Sequence, residues 1–309
     1  MTRSNKNVSH SIFQRLLNRA KTNKEDFNLL LSRYGMERFL FRLSVSPHND
    51  QFILKGASLF LVWKRQNYRV TRDVDLLGFG NPGIEQLADM FRDICRIAFE
   101  DDGMIYLPES LNAEVIREDQ EYDGVRIILV GMLDQARISL QVDIGFGDAI
   151  TPAPEQIEYP TLLNAPPPLL KAYPRYTLVA EKVEAMVKLG LANSRMKDFY
   201  DIWLLARLFS FEGNVLRRAL ENTFHRRRTA FPASTPFAFM PAFYEDSQKK
   251  VQWTAFMRKS KPDMRNVDLS AVIADIVVFL SPVIKSLQSN APFEKTWLPD
   301  QGWLFSPNL

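Results

Sequence analysis

The chain has 309 residues, 46% apolar and 24% charged, with a formal net charge of +3, which is enough apolar content for one large or two modest globular domains. A single cysteine, Cys95, excludes an internal disulfide framework, and three scattered histidines (His10, His48, His225) offer neither zinc-ligand spacing nor a Ser-His-Asp constellation. The polar opening MTRSNKNVSHS leads into no apolar signal core, so the expected setting is a reducing cytoplasm without membrane attachment.

In chain order, residues 8–44 read as helices, with Ile12, Leu16, Leu17 and then Leu29, Leu30, Tyr34 near helical spacing. Phe52-Ile53-Leu54 is a short strand ending at Lys55-Gly56-Ala57-Ser58, where a short helix over Leu59–Arg65 begins. Asp73-Val74-Asp75-Leu76-Leu77 alternates as a strand does, with both carboxylates on one face. Ile84–Phe99 is an amphipathic helix with Cys95 on its apolar stripe, so this thiol is expected in the core. Val125–Leu133 and Ala136–Gly145 form a hairpin turning near Asp134-Gln135. Residues 151–176, with the run Pro166-Pro167-Pro168, read as a connector, because proline suits neither helix interior nor central strand. Helical patterns follow over Leu178–Leu191, Asp198–Phe209, Val215–Phe224 and Leu269–Leu287. Residues 229–246 are rich in proline and aromatics, which leaves their helix content open. Around Ala271–Leu280 the apolar run is interrupted by Asp275 and reads as a buried helix, short of the roughly 18 residues that cross a bilayer. The tail beyond Pro292 reads as an irregular strap. The expected fold class is α+β: a mixed sheet flanked by helices, followed by an α-helical C-terminal domain. Expected boundaries are a helical segment at 1–48, an α/β core at 49–165, a helical domain at 166–290 and a tail at 291–309.

The charge is unevenly placed. Residues 1–50 hold nine Lys/Arg against four Asp/Glu, and residues 214–265 hold eleven against four, leaving the remainder net acidic. Basic flanks around an acidic middle suit a protein that grips a polyanion and holds a divalent cation. Charge alone does not separate this from solvated basic helix faces.

Three groups of residues carry chemistry. Asp73 and Asp75, at i and i+2 on a strand, project side by side as oxygen ligands for a hard cation, and two such charges in a core strand need compensation. A bare D-x-D is common, and a hydrogen-bonded strand end would also explain it; the neighbourhood gives the pair weight. Lys55, Gly56 and Ser58 lie at a strand-to-helix turn, where glycine permits close approach and free N–H groups face anionic phosphate; Ser58 would donate to phosphate or cap the helix. Asp143 stands on the polar face of an alternating strand and, if that strand neighbours the first, completes a metal site or deprotonates an attacking hydroxyl. Asp148 reads as a loop residue. In the third group, Lys182 interrupts the apolar face Leu178, Ala185, Leu189 and must meet an anion, either a triphosphate or a buried carboxylate. Asp198 and Asp201 share a helix face, Asp198 as a candidate N-cap, and the Lys197-to-Asp201 order is the less favourable one for a helix ion pair. Gly78-Phe79-Gly80-Asn81-Pro82-Gly83 matches G-x-G-x-x-G, but no second strand ends in an acid about twenty residues on, so it reads as a turn.

These motifs in order, Leu54-Lys55-Gly56-Ala57-Ser58, Arg72-Asp73-Val74-Asp75-Leu76, Val142-Asp143-Ile144, Glu181-Lys182-Val183-Glu184-Ala185 and Lys197-Asp198-Phe199-Tyr200-Asp201-Ile202, resemble the AbiEii/AbiGii nucleotidyltransferase toxin family, which includes MenT-type toxins and belongs to the polymerase-beta-like nucleotidyltransferases. The resemblance spans roughly residues 50–207. Ala57 and Ser58 stand where the family often has a second glycine and a threonine, and the serine keeps the hydroxyl. It implies a nucleotidyltransferase-like sheet and Mg²⁺ (or Mn²⁺) held by Asp73, Asp75 and Asp143. It further implies an NTP whose phosphates meet Lys55, Gly56, Ser58, Arg72 and Lys197, with Lys182 neutralising the triphosphate and Asp198 or Asp201 orienting Lys197 or the nucleotide or moving a proton. A hydroxyl acceptor would attack the α-phosphorus and release pyrophosphate. The family implies a tRNA 3′ end as acceptor and a separately encoded antitoxin, with Arg226-Arg227-Arg228 and Lys249-Lys250 as candidate phosphate contacts. The alternatives are transfer to a protein or a small molecule, and a non-catalytic NTP-binding regulator.

Overall fold

The alternating and helical stripes read above find their partners in the computed structural model, which describes residues 3–65, 69, 71, 73–80, 82–118, 122–260, 262 and 267–305. In chain order the elements are α1 (Arg3–Asn23), α2 (Phe27–Ser44), β1 (Phe52–Lys55), α3 (Ser58–Lys64), β2 (Asp73–Gly78), α4 (Ile84–Arg96), β3 (Met104–Glu118), β4 (Tyr122–Leu133), β5 (Ala136–Phe146), β6 (Glu155–Glu158) and β7 (Leu169–Ala172). They continue with α5 (Arg175–Leu189), α6 (Met196–Leu208), β8 (Phe211–Glu212), α7 (Gly213–Arg226), α8 (Pro241–Tyr244), α9 (Ser247–Ser260), α10 (Leu269–Gln288), β9 (Lys295–Leu298) and β10 (Gly302–Phe305). The chain divides into two units. One gathers Met1–Asn67, Thr71–Gly147 and Gln156–Ala172; the other gathers Tyr68–Val70, Asp148–Glu155 and Tyr173–Leu309.

The first unit is built on a seven-stranded mixed sheet in the order β3-β4-β5-β2-β1-β7-β6. Its centre pairs β2 with β5 in parallel and β1 with β2 antiparallel, and β7 lies parallel to β1. One face is apolar: Val74 and Leu76 from β2, Ile127 and Leu129 from β4, and Ile138, Leu140, Val142 and Ile144 from β5 are all buried. Phe39, Leu40 and Leu43 of α2 and Leu87, Phe91 and Ile94 of α4 fill out this core, with Phe39 and Phe91 stacked at 5.7 Å. Gly35 brings α2 close to β5, where a side chain would meet Leu140 at 3.2 Å. Asp26 caps α2 by accepting from the Leu29 amide at 2.9 Å, satisfying one of the amides that the first turn leaves open. Cys95 is buried, and burial pushes its thiol up to about 12, consistent with a core residue.

One expectation for this unit needs correction. The proline-rich stretch is more than a connector: it supplies β6 and β7, and Pro166-Pro167-Pro168 ends immediately before β7 begins. Proline fits there because it precedes the short strand and needs no ladder donor within it. A further strand, β3, carried no signal in the sequence, because the register slips between Leu107 and Asn112 and breaks the alternation. Pro108 sits in that slip on an edge strand, and Ser110 repairs it by accepting from the Val130 amide at 2.9 Å.

In the second unit α5, α6, α7 and α10 bury Val179, Val183, Met186, Phe199, Ile202, Leu205, Leu216, Leu220, Ile276, Phe279 and Val283. α10 is long and apolar enough to cross a membrane by length and composition alone, and half of its most apolar window is buried within the protein; Asp275 lies on its outer side and accepts from the Trp203 indole at 2.7 Å. The tail is not an irregular strap. β9 and β10 form a hairpin that joins β8 in a three-stranded antiparallel sheet. Trp297 and Trp303 anchor it against Phe279, at 4.9 and 5.8 Å between rings, and their indoles donate to the carbonyls of Ala206 and Phe279.

Candidate active site

The polar face of the first unit's sheet collects the carboxylates. The parallel register sets Asp75 directly opposite Asp143 and Asp73 opposite Gln141, so the neighbour relation on which Asp143's role depends is met. Oxygens of Asp73, Asp75 and Asp143 lie within 4.8 Å of one another, and all three side chains are partly exposed. Three such oxygens on one rigid sheet match what a small divalent cation takes from protein, leaving its other positions for water and phosphate. The donor set therefore fits a divalent cation and, with no imidazole or thiolate in it, favours a hard one.

Asp73 and Asp143 are held by neighbouring side chains. Thr71 donates to Asp73 Oδ1 at 2.9 Å. Arg126 of β4, opposite Asp143 in the antiparallel register, makes a fork to it, Nε to Oδ1 and Nη2 to Oδ2, both at 2.8 Å. Gln141 Nε2 donates to the same two oxygens at 3.1 and 3.2 Å. The hydrogen bond to Asp143 raises the Arg126 pKa against the smaller cost of burial, so the guanidinium stays charged. Arg126 was not read from the sequence, although it is the only charged residue in Val125–Leu133 and sits mid-strand, which is a usable signal.

The turn after β1 explains its glycine. Gly56 has φ +77°, and a Cβ there would fall 1.8 Å from Asp75 Oδ2. No other residue type lets the backbone pass that close to the carboxylate. Lys55 stands opposite Asp75 in the β1–β2 register. Ser58 opens α3, is buried, and donates to the Lys55 carbonyl at 3.2 Å, which ties the turn together. Arg72 lies outside the described residues. Gly78, Gly80 and Gly83 serve the turn from β2 to α4, Gly80 at φ +81°; Asn81 between them also lies outside the described residues.

In the second unit the structure brings Lys182, Asp198 and Asp201 together and adds two arginines. Lys182 Nζ lies 2.6 Å from Asp198 Oδ1 and 2.9 Å from Asp201 Oδ2. Arg69 forks onto Asp201 at 2.8 and 2.9 Å, and Arg195 donates to Asp198 Oδ2 at 2.7 Å. Both carboxylates are fully buried. Burial opposes the Lys182 charge, but the two aspartates outweigh it and its pKa ends above the ordinary value. For Asp201 burial likewise opposes ionisation, and Arg69 with Lys182 reverses it, holding the carboxyl well below its usual range. Of the two anions open to Lys182 in the sequence, buried carboxylates are present. Asp198 is not an N-cap: α6 starts at Met196, and Asp198 turns inward while Lys197 is exposed.

Two candidate phosphate contacts are corrected. Arg227 is drawn inward by Asp148, which accepts from its Nε at 3.0 Å, and by Glu184, which accepts from Nη1 at 2.9 Å. Lys249 is buried and donates to the Asn193 carbonyl at 2.9 Å. Arg226, Arg228 and Lys250 are exposed. The basic character of residues 1–50 is also partly internal, because Arg38 and Arg42 are buried and Arg42 pairs with Asp102 at 2.7 and 3.1 Å.

The family model described as nucleotidyl transferase AbiEii toxin, type IV toxin–antitoxin system, matches residues 38–274. Two solved Helicobacter pylori structures are similar. JHP933 is 14% identical, with 85% of this chain and 94% of that one covered and a TM-score of 0.49; a protein provisionally assigned as a nucleotidyltransferase is 13% identical, with 85% and 98% covered and a TM-score of 0.48. A search of curated proteins finds no match.

Proposed function

The chain belongs to the AbiEii family of nucleotidyltransferase toxins, and from that premise we propose that it is a Mg²⁺-dependent enzyme transferring a nucleoside monophosphate from an NTP to an RNA hydroxyl, specifically the 3′ end of tRNA. The observation that carries this reading is the triad Asp73, Asp75 and Asp143, three carboxylates within 4.8 Å on one sheet face. They would hold the cation, which when bound supplies Lewis-acid polarisation of phosphate oxygens.

The protein's own groups position the reactants. Lys55, Gly56 and Ser58 are assigned to the phosphates, on the support of a turn that Ser58 fixes and that Gly56 sets against Asp75. Lys182 is assigned to balancing triphosphate charge, and its contacts with Asp198 and Asp201 keep it ionised and in one orientation. Lys197, exposed at the start of α6, is assigned to the nucleotide. The acceptor hydroxyl oxygen bonds to the α-phosphorus as the bond to pyrophosphate breaks, and its proton is assigned to Asp143 or to water. Catalysis on this reading is positioning and charge stabilisation. A separately encoded antitoxin as partner and action in the cytoplasm complete the proposal.

The test is incubation of purified protein and total tRNA with each α-³²P-labelled NTP and Mg²⁺, beside Asp75→Ala. Label on tRNA from wild type alone is the expected result and names the nucleotide. No label on tRNA, with label on protein or small molecules when a lysate is added, moves the acceptor, and equal labelling by Asp75→Ala overturns the metal assignment.

A further inference from the structure

The sheet registers place five charged residues in one row across five neighbouring strands. Glu114 on β3 is opposite Arg126 on β4, Arg126 opposite Asp143 on β5, Asp143 opposite Asp75 on β2, and Asp75 opposite Lys55 on β1. Directly opposed residues share a face of the sheet. Two adjacent carboxylates are thus bracketed by a cation on each side, and a further carboxylate ends the row. Asp143 already takes two bonds from Arg126 and two from Gln141, so a cation drawn to this oxygen pair meets a like charge already fixed there. Arg126 also has somewhere to go: its Nη1 lies 4.0 Å from Glu114 Oε1, and both side chains are partly exposed, at 31% and 49%.

We propose that Arg126 is an internal counter-cation of the metal site, competing with the divalent ion for Asp143, and that Glu114 receives the guanidinium as it yields. This rests on the metal-binding reading above and adds two residues that touch no proposed ligand position of the metal except through Asp143. Glu114 acts through Arg126, and Arg126 sets how readily Asp143 is given to the ion. Unlike a fixed structural salt bridge, such a pair changes partners within one row of the sheet.

The test is Mn²⁺ binding to the full chain without nucleotide, followed by electron paramagnetic resonance, for wild type, Asp75→Asn, Arg126→Gln, Glu114→Gln and the Arg126→Gln/Glu114→Gln double variant. One unit charge at a few ångströms in well-hydrated surroundings changes affinity for a divalent ion by about tenfold. Arg126→Gln is therefore expected to bind about tenfold more tightly than wild type, and Glu114→Gln roughly threefold more weakly. The decisive result is the cycle: the Glu114→Gln effect disappears in the Arg126→Gln background, because Glu114 then has nothing to accept. Additive effects would mean that Glu114 is a bystander attracting cations through space, and would overturn the relay. Weaker or unchanged binding by Arg126→Gln would mean that Arg126 only braces Asp143, and would overturn the competition. If Arg126→Gln does not fold, Arg126→Lys, with one contact to Asp143 in place of two, is expected to bind more tightly than wild type, and weaker binding overturns the proposal. Asp75→Asn separates the two levels: binding that survives it, or no Mn²⁺ binding by wild type, defeats the metal reading and the counter-cation with it. Asp75-dependent binding without the Arg126 effect defeats the counter-cation alone.

Discussion

At Gly56 a single missing side chain is tied to a carboxylate of the proposed metal site. A methyl group there would occupy the position of Asp75 Oδ2, 1.8 Å away, and the positive φ adds strain for any L side chain. Gly56→Ala is expected to push Asp75 out of the triad and lower nucleotidyl transfer by about 10²-fold or more, while the buried face of the sheet, and so the fold, persists. Transfer assays beside thermal melts check this, and full activity in the variant would show that the reaction does not need Asp75 where it stands. Lys182 presents the opposite balance. Replacing it with methionine keeps the bulk but strips the ammonium from Asp198 and Asp201, both fully buried. Arg195 and Arg69 remain, one for each carboxylate. Breaking a buried ion network from one side typically costs 3–5 kcal/mol, so Lys182→Met should lower unfolding free energy by about that amount in urea titrations, together with activity. Loss of activity at unchanged stability would instead mean that Lys182 works chiefly on the nucleotide.

At the scale of elements, α2 carries an ionisable group whose cost depends on pH. Burial pushes Glu37 from 4.5 up to about 7, although the Leu162 amide and Arg38 pull the other way. The folded state therefore holds this proton more tightly than the unfolded chain does. Its contribution is fully present below about 4.5 and drains away as pH rises through 7, amounting to roughly 3–4 kcal/mol. Glu37→Gln keeps an acceptor for the Leu162 amide and removes the titration. Between pH 5 and 8 wild type should lose stability relative to the variant, as read from paired thermal melts, and parallel curves would show Glu37 ionised throughout. Elements also mark where the sequence was legible. β2 and β5 showed themselves because each alternates cleanly, and α4 because its stripe is unbroken. β3 did not, since its register slip and Pro108 destroy the period that reveals a strand. The β9–β10 hairpin was hidden because four-residue strands rich in tryptophan have too few turns of the pattern to declare a period. The approach of Asp75 to Asp143 is a pairing of strands some seventy residues apart, a property of topology that neither strand encodes by itself. Arg126 escaped for the same reason: its meaning lies in what stands across the ladder.

For the whole chain, the count of basic residues overstates the charge available to a polyanion. Arg38 and Arg42 are buried inside the first unit, and in the second Lys249 is buried and Arg227 is tied up in ion pairs with Asp148 and Glu184. Exposed Arg228 and Lys250 remain, and an RNA acceptor that touches them releases counterions there. If tRNA binds as proposed, Arg228→Ala and Lys250→Ala should each weaken binding at low salt and reduce the slope of log affinity against log salt by about 0.7–0.9. Both should melt like wild type, since neither side chain is buried. Arg227→Ala and Lys249→Ala should do the reverse. The first strands Asp148 and Glu184, and the second leaves the Asn193 carbonyl without its buried donor, so both lose stability with the salt slope unchanged in whatever fraction stays folded. Fluorescence anisotropy of labelled tRNA across a salt series, beside melts of all four variants, separates the pairs. A salt slope lowered by Arg227→Ala and Lys249→Ala and untouched by the exposed pair would mean that RNA meets this protein through another surface, and that its basic segments serve the fold.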